Sequence, residues 1–188
     1  MKFIFLSMCL LAHFSCTSQQ LANKNQPPKA STTKTTTETS QSVKMPPSVS
    51  RMETGDFRIN MLTAVNKLRA SGCRCGGKQM PPVPPLRWNS QLEAAAMRHA
   101  NDMANNGHFD HIGTDNSEFD DRISATGYKW MEIGENIAFG YDMIGTTIQG
   151  WINSASHCKQ MMSPKVEELG AAKNGKYWVQ EFGKQRTW

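Results

Sequence analysis

The chain of 188 residues contains no run of about 20 apolar residues, the length that a transmembrane helix requires. It is therefore not expected to span a membrane in its mature form. Apolar residues make up 38% of the sequence, below the usual share of a globular protein, so part of the chain should lie outside any folded core. The sequence also lacks the glycine-rich phosphate-binding loops of nucleotide-binding proteins and the serine motif of α/β-hydrolases.

A strong excess of positive charge is also missing from the part of the chain that should fold. The whole chain has a net charge of +5, but residues 57–188 carry 15 Lys and Arg against 13 Asp and Glu. Most of the surplus therefore lies in the first 56 residues. Positive charge on a tail does not form a groove for phosphates, so we expect no nucleic-acid partner.

A short apolar segment stands at the start of the sequence. Lys2 is followed by about ten mostly apolar residues, a pattern typical of a secretory signal peptide and too short for a membrane anchor. Cys16 follows Ser15 as in bacterial lipoproteins, where this cysteine is acylated, although His13 and Phe14 depart from that pattern. We predict a signal peptide over residues 1–16. The protein would be extracytoplasmic, either lipid-anchored to the bacterial envelope through Cys16 or secreted.

Residues 17–55 have the composition of a linker. They are rich in Thr, Ser and Pro, poor in aliphatic residues and almost free of aromatic residues. Such a tract cannot bury enough apolar surface to offset the entropy lost on ordering, so we predict that it is disordered. The folded domain is predicted over residues 56–188.

The pattern after residue 56 indicates helices first and strands last. Asp56 is expected to cap the first helix, and Ser90 with Glu93 three residues later predicts a capping box at the start of another. Near the C-terminus, two apolar segments flank Asn174-Gly175, a strong signal for a β-hairpin. Helices followed by strands, without regular alternation, predict an α+β fold with an antiparallel sheet.

Three cysteines remain outside the signal region, namely Cys73, Cys75 and Cys158. An odd number in an oxidising compartment leaves one thiol unpaired. Cys73 and Cys75 are too close in sequence to pair easily with each other. We prefer Cys75 as the partner of Cys158, since Gly76-Gly77 lets the loop bend. Cys73 is the rival partner, and a metal site of all three sulfurs is the other alternative. The bridge would close a loop of about 84 residues and stabilise the fold by about 4 kcal/mol.

The order and spacing of seven segments of the domain resemble those of a known family. The segments are residues 85–89, 99–104, 109–111, 127–128, 134–138, 151–157 and 177–183. Together they resemble the CAP superfamily, also called SCP, which includes cysteine-rich secretory proteins, antigen 5 and pathogenesis-related class 1 proteins; the bacterial branch is the most similar. The resemblance covers about residues 57–185. It implies an α-β-α sandwich with an antiparallel sheet between helical layers, and an extracytoplasmic protein.

The resemblance also implies a cleft and its residues. His111 and Glu135 match a His and a Glu of the eukaryotic family pattern, and His157 matches a His that the bacterial pattern places after a Trp. Ser154 stands where the eukaryotic pattern has its second Glu. Gln180 keeps the Gln of the last segment, whose His is absent here. We expect His111, Glu135 and His157 to converge in one cleft, with Ser154 and Gln180 near its wall.

Two chemical interpretations of this set stay open. Two imidazoles and a carboxylate are the ligands of an open zinc site, so zinc or another divalent cation is one expectation. In the other, the carboxylate hydrogen-bonds a histidine and fixes its tautomer, and no cofactor is needed. Phe109, Ile137 and Trp151 are expected to form an apolar floor.

Members of the family have been linked to lipid binding, to metal sites and to proteolysis. The leading interpretation is an extracytoplasmic CAP-type binding or interaction module, whose cleft holds a small amphiphile, a lipid, another cell-envelope component or a divalent metal. A metal-dependent, protease-like hydrolase using the same cleft is one alternative, although a binding protein is favoured over an enzyme. A surface interaction protein with a vestigial cleft is the other.

Overall fold

The computed structural model describes residues 55–187. The predicted signal peptide, Cys16 and nearly all of the predicted linker lie outside the described residues. Within residues 55–187, no helix is long and apolar enough to cross a membrane. The helices and strands are, in chain order, α1 Phe57–Ser71, β1 Cys73–Cys75, β2 Lys78–Met80, β3 Arg87–Trp88, α2 Ser90–Asn106, α3 Phe119–Ala125, β4 Trp130–Phe139, α4 Ile144–Asn153, α5 Ala155–Met161, β5 Glu168–Asn174 and β6 Tyr177–Gln185.

Four strands form the central sheet, in the order β3-β5-β6-β4. The predicted hairpin is confirmed as β5 and β6, which pair antiparallel, and β4 pairs antiparallel with β6 on the other side. The short strand β3 instead runs parallel to β5, so the sheet is mixed. Parallel pairing needs a long crossover connection, which the chain between β3 and β5 supplies.

Helices cover both faces of the sheet. On β5, Leu169 and Ala171 point toward α1 and α4, whereas Gly170 and Ala172 point toward α2, because successive strand residues face opposite sides. The core on the first face includes Met61, Val65, Ile148, Trp151, Trp178 and Phe182. The core on the second face includes Ala96, Ala100, Met103, Ile137, Ala172 and Val179. The predicted α+β sandwich is therefore confirmed.

The close approach of α2 to the sheet depends on Gly170. A Cβ atom at this position would overlap the backbone at Leu92 and Glu93 in the first turns of α2. The missing side chain lets the helix lie directly on β5, which brings the buried face of α2 against β5 and β6.

The two predicted helix starts have different outcomes. Asp56 caps α1, since its carboxylate accepts the N–H of Arg58. The capping box predicted at α2 is wrong, because Asn89 is the N-cap and accepts two backbone N–H groups. Ser90 is the first helical residue, and Glu93 forms an ion pair with Arg58 instead of reaching back to the cap.

The Cys75–Cys158 disulfide is confirmed and ties β1 to α5, with the two Cα atoms 5.4 Å apart. Gly76 makes this approach possible. Its φ of +56° favours glycine, and a Cβ there would overlap the Cβ of Ala155 at the start of α5. Both sulfurs are fully buried.

Candidate ligand cleft

His111 and Glu135 form a short side-chain contact at the edge of the sheet. The loop after α2 carries His111, and β4 carries Glu135. The Nδ1 atom of His111 lies 2.6 Å from Oε1 of Glu135; the His111 side chain is 50% exposed and that of Glu135 only 1%. A carboxylate that accepts from Nδ1 fixes the ring and leaves Nε2 for another partner.

Arg122 forms a buried ion pair with Glu135. The Arg122 side chain, also 1% exposed, donates from Nη2 to Oε2 of Glu135 over 2.7 Å. It donates as well to the carbonyl oxygens of His111 at 2.9 Å and Ser117 at 2.6 Å. Arg122 therefore neutralises the buried carboxylate and anchors the loop that carries His111.

His99 of α2 lies beside this ion pair. Its Nε2 is 2.9 Å from the carbonyl oxygen of Asp110 and 3.9 Å from Oε2 of Glu135, and the side chain is fully buried. Burial is the main cause that lowers the pKa of His99, so the ring is neutral at physiological pH and donates from Nε2 to Asp110. His99 packs in the core and, through the carbonyl of Asp110, helps to position the loop that carries His111.

A second carboxyl group, Glu181, lies against Glu135. The two residues are directly opposite in the antiparallel pairing of β4 and β6, so their side chains share a face. Glu181 is fully buried. Burial first, and then the charge of Glu135, raise the pKa of Glu181 well above its usual range. Glu181 is therefore a neutral acid beside the charged carboxylate of Glu135.

The pKa of Glu135 is shifted in the opposite direction from that of Glu181. Burial alone would raise the pKa of Glu135, but the hydrogen bond from His111 and the charge of Arg122 outweigh it and lower the pKa. Glu135 is thus the charged member of the pair. Its hydrogen bond is also the main cause that raises the pKa of His111.

His157 reaches the edge strand from the other face of the sheet. Its backbone carbonyl accepts from Nδ2 of Asn136 at 3.3 Å, and Asn136 points away from the face that holds Glu135. The pKa of His157 is lowered, mainly by burial and further by the charge of His111. The two imidazoles are therefore close enough to repel each other when both are charged.

The two residues expected at the cleft wall have different locations. Ser154 is half-buried at the junction of α4 and α5, with its hydroxyl 3.3 Å from that of Ser156. Gln180 is fully buried and bonds to Asn136 and to the sulfur of Met61. The structure thus corrects the expectation for Gln180. It lies on the core-facing side of β6, because alternation puts it opposite Glu181.

The three residues expected to form an apolar floor of the cleft do not lie together. Ile137 and Trp151 are buried in cores on opposite faces of the sheet. Phe109 is half exposed and packs 6.0 Å from the ring of Phe139, which in turn lies 4.6 Å from Tyr177. We call Phe109, Phe139 and Tyr177 the aromatic patch. It lies farther along the same edge of the sheet as His111.

The geometry does not favour Glu135 as a metal ligand. Its oxygens already bind His111 and Arg122, and the side chain is closed to solvent. Within residues 55–187, the one group of three or more His, Cys, Asp or Glu side chains with ligand atoms within 4.8 Å of one another is Cys73, Cys75 and Cys158. Cys75 and Cys158 are bonded to each other in this group, so the three sulfurs could act as metal ligands only in the reduced chain.

Sequence reasoning missed Arg122 and Glu181. Arg122 follows two aspartates in a short helix, a pattern typical of a solvent-exposed surface, so the sequence carried no clear signal. Glu181 carried one. It stands inside a strand whose other residues are mostly apolar, and a charged residue in a buried strand usually has a partner.

Replacing Glu181 with Gln should change the free energy of unfolding in a pH-dependent way. Relative to wild type, the variant should be more favoured at neutral pH than at acidic pH. The folded chain keeps the Glu181 proton, whereas the unfolded chain releases it near its usual pKa of 4.5. The Glu181 contribution to folding is therefore fully present below pH 4.5 and lost as the pH rises toward the raised folded value. Urea unfolding of both chains from pH 4 to pH 8 tests this, with Glu132→Gln, a half-buried carboxylate on the same strand as Glu135, as the control. A difference that does not change with pH would contradict the assignment of the proton to Glu181.

Comparison with known proteins places this chain in a family. The model of the cysteine-rich secretory protein family, CAP, matches residues 62–182. The uncharacterized membrane protein YlbC of Bacillus subtilis is 30% identical over 100 residues, which are 53% of this chain and 29% of YlbC.

Two solved structures share the fold. The extracellular SCP-domain protein of Bacillus anthracis superimposes with a TM-score of 0.61 and 25% identity, over 68% of this chain and 40% of that one. An outer surface protein of Borrelia burgdorferi gives a TM-score of 0.58 and 18% identity, over 67% of this chain and 90% of that one. The chain thus spans less than half the length of the two Bacillus proteins. Since the family model covers well over half of the present sequence, the chain belongs to the CAP family of cysteine-rich secretory proteins.

Proposed function

We propose that this protein is an extracytoplasmic binding module whose cleft holds a small anionic amphiphile. The observation that carries the proposal is the half-exposed His111 imidazole, fixed by a buried carboxylate, at the same sheet edge as the aromatic patch. A polar head would bind at His111 and an apolar chain would lie on the aromatic rings. Few other polar groups would be needed to orient such a ligand.

The charge of the cleft supports an anionic head group. The hydrogen bond that His111 donates to Glu135 raises the pKa of His111, which favours the protonated ring. Arg122 neutralises Glu135, so the negative charge behind the ring does not dominate. Binding of an anion should therefore weaken as the pH rises through the raised pKa of His111.

The spacing supports a ligand with an extended apolar part. Glu135 and Phe139 are four residues apart on β4 and share a face, which corresponds to about 13 Å along a strand. A ligand that contacts both His111 and the aromatic patch must span a comparable distance. Exposed aromatic rings contribute large apolar contact areas, and Phe109 and Phe139 are each half exposed.

Two observations support a location outside the cytoplasm. The related YlbC is named a membrane protein, and the B. anthracis relative is described as extracellular. The Cys75–Cys158 disulfide agrees with an oxidising compartment, because disulfides seldom persist in the cytosol.

The full chain purified from its host should carry a bound amphiphile that His111→Ala and Phe139→Ala reduce. Loss of a hydrogen bond to a charged group costs about 1.5–3 kcal/mol, so His111→Ala should lower the affinity by about 10- to 100-fold. Organic extraction followed by mass spectrometry measures the bound amphiphile per protein. Ile59→Ala, which removes an exposed apolar side chain from α1, should leave the amount unchanged.

Two other outcomes correspond to the rival functions. No bound amphiphile in any preparation would favour a surface interaction protein with a vestigial cleft. Stoichiometric zinc in the wild type that is lost in His111→Ala with His157→Ala would favour a metal-dependent hydrolase. The fixed His111 ring supports that rival, because a carboxylate behind a ligating His is common at zinc sites. The engaged oxygens of Glu135 speak against it.

Replacing Cys16 with Ser should release the protein from the membrane fraction. Acylation of Cys16 would attach the chain to the envelope, and multiple acyl chains give stable binding where one is marginal. Cell fractionation followed by immunoblotting of the wild type and Cys16→Ser measures the effect, with Cys73→Ser as the control. Equal membrane association of the wild type and Cys16→Ser would contradict a lipid anchor and leave secretion as the alternative.

A further inference from the structure

The thiol of Cys73 lies in contact with both sulfurs of the disulfide. Its Sγ atom is 3.5 Å from Sγ of Cys75 and 3.6 Å from Sγ of Cys158. Cys73 is half-buried, while both bridged sulfurs are fully buried. The link between β1 and α5 needs only two cysteines, so the third sulfur has no role in closing it.

Strand geometry makes Cys158 the shared partner of the two other cysteines. Cys73 and Cys75 are alternate residues of β1 and point to the same side, toward α5. Their Cα atoms are about 6.6 Å apart in an extended strand, near the upper limit for a disulfide, and their side chains run in parallel. A direct Cys73–Cys75 bond is thus disfavoured, whereas Cys158 faces both.

We propose that Cys73, Cys75 and Cys158 form an exchange unit, in which Cys158 is bonded alternately to Cys75 and to Cys73. The Cys73 side chain first turns into line with the Cys75–Cys158 bond, its thiol gives its proton to solvent, and the thiolate attacks Sγ of Cys158. A Cys73–Cys158 bond forms as the Cys75–Cys158 bond breaks, and Cys75 leaves as a thiolate that takes up a proton. One disulfide and one thiol are present before and after, so no oxidant or reductant is consumed.

The exchange changes which thiol meets the solvent. With Cys75 bridged, the free thiol is Cys73, which solutes can reach; with Cys73 bridged, it is Cys75, at a fully buried position. Burial also raises the pKa of Cys73, so little thiolate forms near neutral pH. The exchange therefore switches the free thiol between an accessible and a buried position, while a disulfide continues to link β1 and α5.

Tryptic mapping of the full chain distinguishes the two bridges. Trypsin cleaves after Arg74, between the two cysteines, so Cys158 in peptide 130–159 is joined either to peptide 75–78 or to peptide 70–74. Acid quenching and alkylation of free thiols before digestion trap the populations. In the Cys75→Ala chain, we expect the product joined to peptide 70–74 to become the main species that contains Cys158. Cys73→Ala is the matched control and should give only the product joined to peptide 75–78.

The wild-type chain gives a second measurement that does not depend on the folding of a variant. Incubation at mildly alkaline pH without any added thiol, where more Cys73 thiolate forms, should produce the product joined to peptide 70–74, in a fraction independent of protein concentration. Free Cys73 and Cys158 in folded Cys75→Ala would overturn the proposal. So would a wild type that never forms the second bridge, or a fraction that rises with protein concentration, which indicates exchange between molecules.

Discussion

Replacing Arg122 with Met is expected to destabilise the domain by about 3–5 kcal/mol, because it leaves the carboxylate of Glu135 buried without its cationic partner. The guanidinium also holds the carbonyl oxygens of His111 and Ser117, so the loop that carries His111 should loosen. The free energy of unfolding in urea at neutral pH measures the loss. The loss should shrink at acidic pH, where Glu135 can take up a proton.

Arg98→Met is a matched control for this prediction. Arg98 also pairs with a carboxylate, that of Asp115 at 2.7 Å, but both side chains are about half exposed. An exposed ion pair contributes at most about 1 kcal/mol, so this variant should remain close to wild type. Equal effects of Arg122→Met and Arg98→Met would show that the buried charge of Glu135 does not depend on Arg122. The double variant Arg122→Met with Glu135→Gln should recover part of the stability.

Replacing Cys158 with Ala is expected to lower the free energy of unfolding by about 4 kcal/mol. The disulfide to Cys75 closes a loop over a sequence separation of 83 residues, and its loss gives the unfolded chain more freedom. Cys158 is also the sulfur that both alternative bridges require. Urea unfolding under non-reducing conditions measures the change.

Cys73→Ala is the control for the disulfide, since it removes a neighbouring sulfur but leaves the Cys75–Cys158 bond. It should change the free energy of unfolding by much less than Cys158→Ala. Reduction of the wild type should reproduce the loss seen in Cys158→Ala. A loss in Cys158→Ala no larger than in Cys73→Ala would mean that the bridge contributes little to stability.

The sequence by itself determined the features that depend on neighbouring residues or on spacing along the chain. Asp56 caps α1 because a short acidic side chain before a helix meets free N–H groups. Asn174-Gly175 marks the hairpin of β5 and β6, since its backbone preferences match a tight turn. The order of motifs indicated the family. The count of cysteines, with Gly76 beside Cys75, indicated the bridge to Cys158.

Only the tertiary structure decided which polar side chains meet inside the molecule. Strand register places Glu181 opposite Glu135 and points the Gln180 side chain into the core on the other face of the sheet. Packing of α3 brings Arg122, which has the sequence context of a surface residue, into contact with the same carboxylate. Folding of β1 against α5 brings Cys73 onto the disulfide. These contacts join residues far apart in the chain, and their charge states follow from burial, which local patterns of sequence do not encode.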